Sequence, residues 1–168
     1  MNEAAVAQYV GKLVDIAYPD GKGATAFIVG YDVEHRFSAR EETITLGLFS
    51  DEGYALVKIE DASIGELPVD QQHSAESLRE YFRDMTSRAD PSVNVEMVRS
   101  LVGRTVSRVP SPKHGGGRLA SFAVCGYVEE HWADPDDWDR EIVTFWLIGG
   151  GYRYPMLDGD VYSVLNGA

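Results

Sequence analysis

Apolar and polar positions follow the same order in two parts of the chain. Apolar residues spaced as on one face of a helix come first, at Val6 and Tyr9 and again at Val98 and Leu101. Runs rich in β-branched and aromatic residues follow, separated by polar and glycine breaks, which is typical of short strands. The pattern therefore predicts a short helix followed by about five strands, and predicts this arrangement twice.

The two parts also match in sequence. The opening “NEAAVAQYVGKLV” is repeated 92 positions later as “NVEMVRSLVGRTV”. Further along, “FIVGYDVEH” meets “FAVCGYVEEH”, which aligns His35 with His131 at a spacing of 96. The spacing later grows to about 99, as expected when hairpin loops lengthen while strands are kept. We expect an internal duplication, with a first repeat over 1–67 and a second over 93–168.

The segment between the repeats, 68–92, predicts a helix of its own. Ser74 is a suitable N-cap, and Asp90-Pro91 would end the helix. Apolar side chains stand at helical spacing between these points, at Leu78, Tyr81, Phe82 and Met85. The expected fold is therefore mainly β with short helices (α+β), in which an amphipathic helix joins two small five-stranded β-barrels.

The repeat resembles the Sm-like small β-barrel, a relative of SH3-type barrels. “YVGKLV” and “LVGRTV” are similar to that family's junction between helix and first strand, and Gly30 and Asp32 fall on its G-x-D signature. Val128 replaces the aspartate in the second repeat. The resemblance implies tandem barrels. It does not carry over the family's binding of uridine-rich RNA, because “EHRF” stands where the RNA-binding loop usually has Asn, and the later Arg-Gly pair is missing.

The chain is strongly acidic. It carries 27 acidic and 15 basic residues, a formal net charge of −12 at pH 7. Such a surface repels phosphate backbones and favours basic partners, so we expect no nucleic acid among its ligands. The alternative is that the acidity only keeps the protein soluble.

The sequence favours a cytoplasmic protein that does not bind membranes. No apolar run approaches the roughly 18 residues of a membrane span, and no basic-then-apolar secretory signal is visible. The single cysteine, Cys125, cannot form an internal disulfide and fits a reducing compartment. Because Cys125 lies in an apolar run, we expect a buried, inert thiol rather than a nucleophile.

The sequence predicts that the longest hairpin of the second repeat has an acidic tip with aromatic side chains. The candidate partner-binding residues there are Trp132, Asp134, Asp136, Asp137, Trp138 and Asp139. Tryptophans flanked by carboxylates can anchor a protein interface, or they can fold back over an open barrel end. A calcium site is not expected, since Asp139 stands where an EF-hand loop needs glycine.

A second set of residues is a candidate for binding a small anionic ligand: Tyr31, His35, Lys113, His114, Arg118, Tyr127 and His131. The loop “KHGGGRL” forms a small basic spot that could catch an anion, although strand reversal explains its glycines equally well. His35 and His131 recur at equivalent positions. They form a paired site if the repeats face each other, and otherwise pack at strand ends.

The sequence predicts a non-catalytic binding protein without metal or cofactor. Neither G-x-S-x-G nor H-E-x-x-H occurs, and the four histidines show no shared ligand spacing. The leading hypothesis is protein–protein interaction through the acidic surface, for example an inhibitor that masks a basic nucleic-acid-binding surface, by analogy with small phage-type inhibitors. The alternative is a protein that sequesters a small molecule or nucleotide in the groove between the barrels. Fusion of two copies favours a monomer or homodimer over a ring.

Overall fold

The computed structural model describes residues 3–37, 42–50, 53–67, 83–84, 86–114, 119–137 and 140–165, without the side chain of His114. These residues are mainly β, as predicted, with short helices at Glu3–Ala7 (α1) and Val95–Leu101 (α2). Asn94 caps α2, because its side-chain oxygen accepts the backbone N–H of Met97 at 2.9 Å. The predicted helix between the repeats lies largely outside the described residues. None of the described helices has both the length and the apolar composition needed to cross a bilayer.

Eleven strands are present in the described residues. The first part of the chain contributes β1 (Leu13–Ala17), β2 (Gly23–Arg36), β3 (Thr43–Ser50), β4 (Gly53–Lys58) and β5 (Ser63–Glu66). The second contributes β6 (Thr105–Val109), β7 (Ala120–Ala123), β8 (Gly126–Ala133), β9 (Glu141–Gly149), β10 (Tyr152–Pro155) and β11 (Val161–Val164). Each part thus starts with a short helix, and β7 with β8 occupies the place in the order that β2 has in the first part.

The chain packs as two compact units, and each unit draws on both predicted repeats. Unit 1 contains Met1–Val33, Thr43–Thr86 and Glu130–Val143, and unit 2 contains Glu34–Glu42, Ser87–Glu129 and Thr144–Ala168. The tip of the β8–β9 hairpin therefore belongs to unit 1, and the tip of the β2–β3 hairpin belongs to unit 2. These units describe packing and do not follow the predicted segments 1–67, 68–92 and 93–168.

Unit 1 has a core built on alternating strands. β1 pairs antiparallel with β2 and β5, which places Ile16 opposite Ala24 and Ile64. Val14 and Ile16 point inward and Asp15 points outward, as the period of two along a strand requires. The buried cluster is Val6, Val14, Ile16, Ala26, Ile28, Tyr31, Val33, Ile44, Leu46, Leu48 and Ile59. Burial of these side chains is the main stabilising term for the unit.

Unit 2 has a core of its own. β6 pairs antiparallel with β7 and β11, and β9 pairs with β10. The buried cluster is Val98, Leu101, Val106, Phe122, Val124, Tyr127, Phe145, Leu147 and Met156. Arg108 lies inside this unit and pairs with Asp160 at 3.1 Å, with side chains 9% and 2% exposed. The ion pair is therefore largely withdrawn from water.

Cys125 corrects one expectation. The apolar run around Cys125 predicted a buried thiol, but the run divides into β7 and β8, and Val124 and Cys125 lie between them. The backbone N–H of Cys125 donates to the carbonyl of Ile148 at 2.8 Å, and its own carbonyl accepts from Phe37 at 2.7 Å. Burial alternates along this stretch, with Val124 buried and Cys125 on the outward side, so the thiol is exposed rather than buried.

Candidate functional site

In unit 1, Tyr31 on β2 stacks on His131 of β8. The ring centroids lie 4.4 Å apart and the ring planes differ by 5°. Both side chains are buried. The Tyr31 hydroxyl donates to Oε1 of Glu3 at 3.3 Å, and Nε2 of His131 lies 3.5 Å from the same oxygen. Helix α1 thus places a carboxylate over the polar edge of the stack.

Unit 2 contains the corresponding pair, His35 of β2 stacked on Tyr127 of β8. The centroids are 4.5 Å apart and the planes differ by 17°. Here α2 supplies a base instead of an acid, because Nε of Arg99 donates to the Tyr127 hydroxyl at 2.8 Å. This hydrogen bond raises the pKa of Arg99 above its ordinary value, which keeps the guanidinium charged.

A glutamate on the same hairpin lies beside each histidine. Nδ1 of His131 lies 3.1 Å from Oε1 of Glu141, and Nδ1 of His35 lies 3.3 Å from Oε1 of Glu42. The two glutamates are 99 positions apart, the spacing expected for this part of the repeat. Neither was a candidate residue from sequence, although the repeat spacing could have identified both. The sequence left open whether the two histidines share a site, and within each unit the contact is a tyrosine–histidine stack.

A cavity of about 300 Å³ adjoins the stack of unit 2. It is lined by His35, Arg36, Phe37, Arg99, Val102 and Tyr127. This volume is at the lower end of the range for small-molecule sites. Of the lining residues, only His35 and Tyr127 were candidates from sequence. Arg99 could not be found in this way, because nothing in the sequence relates its position on α2 to the strand that carries Tyr127.

Two arginines hold the carboxylate of Glu34, which neighbours the lining residue His35 in the chain. Glu34 contacts Arg36 and Arg153. Burial raises the pKa of Glu34, but the hydrogen bonds from both arginines outweigh that effect, so the pKa is lowered below its ordinary value of 4.5. The Glu34 contact in turn raises the pKa of Arg36. Glu34 therefore stays ionised at neutral pH, and two arginines offset its negative charge.

A larger hollow of about 590 Å³ lies on unit 1, over the outer face of β1, β2 and β5. Small side chains such as Gly23 and Gly65 leave this space open. The one charged lining residue is Asp15, whose carboxylate accepts the Thr25 hydroxyl at 2.8 Å. The hollow therefore offers few polar groups that could orient a ligand, and the cavity of unit 2 is the stronger candidate site.

Asp134 makes two hydrogen bonds within the acidic hairpin of unit 1. Oδ1 of Asp134 accepts the backbone N–H of Asp136 at 2.8 Å, and the Asp134 carbonyl accepts that of Asp137 at 3.3 Å. Asp136 also pairs with Arg83 at 2.9 Å. The side chains of Asp136 and Asp137 are exposed, whereas Asp134 is half-buried. Trp138 and Asp139 lie outside the described residues.

Trp132 is a core residue of unit 1. It is 6% exposed and packs with Phe27, Val29 and Ala133. Of the two interpretations that the sequence allowed, anchor or folded-back ring, the burial of this tryptophan is compatible with the second. The buried ring lies at the base of the hairpin that carries the exposed aspartates.

The basic loop of unit 2 is described only in part. Nζ of Lys113 lies 3.4 Å from Asp158, and both side chains are well exposed. Arg118 and the side chain of His114 lie outside the described residues. Among the described residues of this loop, Lys113 does not line the cavity at His35 and Tyr127.

The formal charge is divided very unequally between the units. Unit 1 holds 19 acidic and 6 basic residues, a net charge of −13, and unit 2 holds 8 and 9, a net charge of +1. Sequence segments alone do not reveal this division, because the acidic hairpin tip of the second half packs into unit 1. The acidity of the protein is therefore a property of one unit.

Comparisons with family models, with curated proteins and with solved structures find no match. The expected resemblance to Sm-like barrels stays a prediction.

Proposed function

We propose that the protein is a non-catalytic binding protein whose acidic unit 1 associates with a basic surface on another protein. The observation that carries this proposal is the charge of −13 on unit 1 beside +1 on unit 2. If acidity served only solubility, nothing would require it to gather on one unit. Complementary potentials accelerate encounter and select partners by charge.

The hairpin after Trp132 supports the proposal because several of its described residues are held in place. The Asp134 carboxylate accepts the backbone N–H of Asp136, and the Trp132 ring at the base of the hairpin is buried. Groups that are already held lose less conformational entropy when they bind. Asp136 and Asp137 are accordingly the residues we place at the centre of the contact.

The natural class of target is a protein that itself binds nucleic acid. Its binding surface must be basic to hold phosphates, and an acidic surface competes for the same arginines and lysines. Masking of that surface would make this protein an inhibitor. Catalysis is not part of the proposal.

We further propose that the two halves descend from one ancestral helix-plus-barrel unit related to Sm-like barrels. The shared element order and the matching Tyr–His–Glu sets support a duplication. Gly30 and Gly126 also correspond at the repeat spacing of 96. Gly30 lies against the carbonyl of His131, and Gly126 lies against the carbonyl of His35, so each glycine faces the histidine of the other repeat. The inherited fold does not require the inherited activity.

The test is binding to a panel of purified basic nucleic-acid-binding proteins, with acidic proteins as counterparts, at about 50 and about 300 mM NaCl. We expect affinity for at least one basic protein to fall by roughly tenfold or more at the higher salt. Salt-insensitive binding, or binding of the acidic proteins alone, would contradict the proposal. So would retention of the protein on uridine-rich RNA at physiological salt.

A matched pair of variants locates the contact. Asp136→Asn with Asp137→Asn removes two exposed acids from unit 1, and Glu96→Gln with Asp158→Asn removes two from unit 2. Both changes raise the net charge equally. We expect only the first to weaken binding clearly, and equal weakening would show that the hairpin is not the contact.

A further inference from the structure

We infer that the cavity of unit 2 is a binding site for a small organic anion that carries a planar ring. This inference goes beyond the proposed protein–protein interaction and does not depend on it. It rests on what the six lining residues combine: two arginines, two stacked rings, an exposed phenyl ring and an aliphatic wall.

The two arginines are held in position, and each keeps hydrogen-bond donors available for a ligand. Nε of Arg99 is bound to the Tyr127 hydroxyl, and Nε of Arg36 contacts Glu34. Each contact uses one edge of a guanidinium and leaves the terminal nitrogens without a partner among the described residues. Since a guanidinium presents donors in a planar fork, two pre-positioned forks suit a phosphate or carboxylate.

Phe37 supplies the apolar surface. Its side chain is 79% exposed, the highest value among the large apolar residues described. Its backbone is fixed by the 2.7 Å hydrogen bond from its N–H to the Cys125 carbonyl. An exposed ring on a fixed backbone, beside Val102 and the His35–Tyr127 stack, offers a planar molecule a surface to pack against.

The local charge permits an anion here. Glu42 and Glu129 lie within 3.4 Å of the two ring nitrogens of His35 and also interact electrostatically with Arg99, but neither carboxylate lines the cavity. Glu34 is offset by two arginines, and unit 2 as a whole carries +1. Unit 1 gives the contrast, because Glu3 meets the tyrosine hydroxyl there in place of Arg99. The corresponding stack of unit 1 would repel the same ligand.

The first experiment measures separately how much the ring and the negative charge of a ligand contribute to its binding. Adenosine 5′-monophosphate, adenosine, inorganic phosphate and benzoate are each titrated into the full protein by calorimetry. We expect the probes that combine a ring with an anion to bind at least tenfold more tightly than adenosine or phosphate alone. The ratio between the nucleotide and benzoate distinguishes a phosphate from a carboxylate as the preferred anion. Failure of every probe to bind at millimolar concentration, or phosphate binding as tightly as the nucleotide, would overturn the inference.

Variants then test the lining. Arg99→Gln and Phe37→Ala should each weaken the tighter probe by roughly tenfold. Arg104→Gln and Leu119→Ala are the controls, since both residues are exposed, belong to unit 2 and lie outside the cavity lining. Equal affinities in all four variants would overturn the site.

Backbone amide shifts of the unmodified protein give a readout that does not depend on any variant folding. The tighter probe should shift the amides of residues 35–37, 99–102 and 127. Shifts confined to other parts of the chain would place the ligand elsewhere and overturn the assignment.

Discussion

In each unit, one glycine lies where β2 and β8 pass close together. A Cβ atom at Gly30 would overlap the carbonyl oxygen of His131, and one at Gly126 would overlap that of His35. At Gly65, by contrast, the nearest atom to an added Cβ lies at 3.8 Å, which is ordinary contact. The requirement is therefore steric, because backbone atoms cannot move aside as a flexible side chain can.

We predict that Gly30→Ala and Gly126→Ala each lower the free energy of unfolding by about 2 kcal/mol or more, since strands must separate to admit the methyl group. Gly65→Ala should change it by less than about 1 kcal/mol. Urea unfolding followed by circular dichroism measures all three. A Gly30→Ala variant as stable as Gly65→Ala would show that the strands are not packed this closely.

At the scale of elements, the alternation of apolar residues was informative and the interruptions were not. The helix cap at Asn94, the strands and the inward face of β1 follow from residues close together in sequence. The end of β7 could not be predicted in this way, because the backbone N–H of Cys125 donates there to the carbonyl of Ile148, which is distant in sequence and has no local pattern. The placement of Trp132 is likewise fixed by apolar partners on β2.

The candidate site was predicted only in part, for the same reason. Tyr127 and His35 could be chosen because they recur with the repeat, but the stacking of one repeat's tyrosine on the other's histidine is a tertiary fact. Arg99 and Phe37 carry no repeat and no motif. Charge was similar: the total of −12 is visible in the sequence, and its division into −13 and +1 requires knowing which segments pack together.

The turn before β11 supplies a second test, on a buried charge. Asp160 accepts hydrogen bonds from the backbone of Ser111 and Leu157, at 2.8 and 3.2 Å, and it pairs with Arg108 of β6. It thereby joins this turn to the strand that β11 must pair with. Nε of Arg108 is buried without a hydrogen-bond partner among the described residues, so the ion pair provides most of its compensation.

We predict that Asp160→Asn destabilises the protein by about 3 kcal/mol, because the variant leaves the Arg108 charge buried and unpaired. The neighbouring Asp158→Asn is the control. Its ion pair with Lys113 is well exposed, so its loss should cost less than about 1 kcal/mol. Chemical unfolding at pH 7 distinguishes the two variants. Equal, small losses would show that water reaches Arg108.

At the scale of the whole molecule, the unequal charge has a consequence for stability that does not require any partner. Like charges at a net −13 repel one another across unit 1, and in about 0.01 M salt this repulsion extends over roughly 30 Å. Added salt screens it. Added salt does not stabilise unit 2 to a comparable extent, because the net charge of that unit is only +1. It weakens the ion pairs of unit 2 slightly.

We therefore predict that Glu60→Gln with Glu66→Gln raises the midpoint of thermal unfolding in about 0.01 M NaCl by a few degrees, corresponding to about 1 kcal/mol. Both residues are exposed on unit 1. The same variant should gain less than the unmodified protein when salt is raised to about 0.3 M, because part of the repulsion is already gone. Glu96→Gln with Asp158→Asn alters the net charge equally but acts on unit 2, where it should leave the midpoint unchanged or lower it. Matching gains from both pairs would mean that the repulsion is spread over the entire chain, and the charge division would then have no energetic meaning.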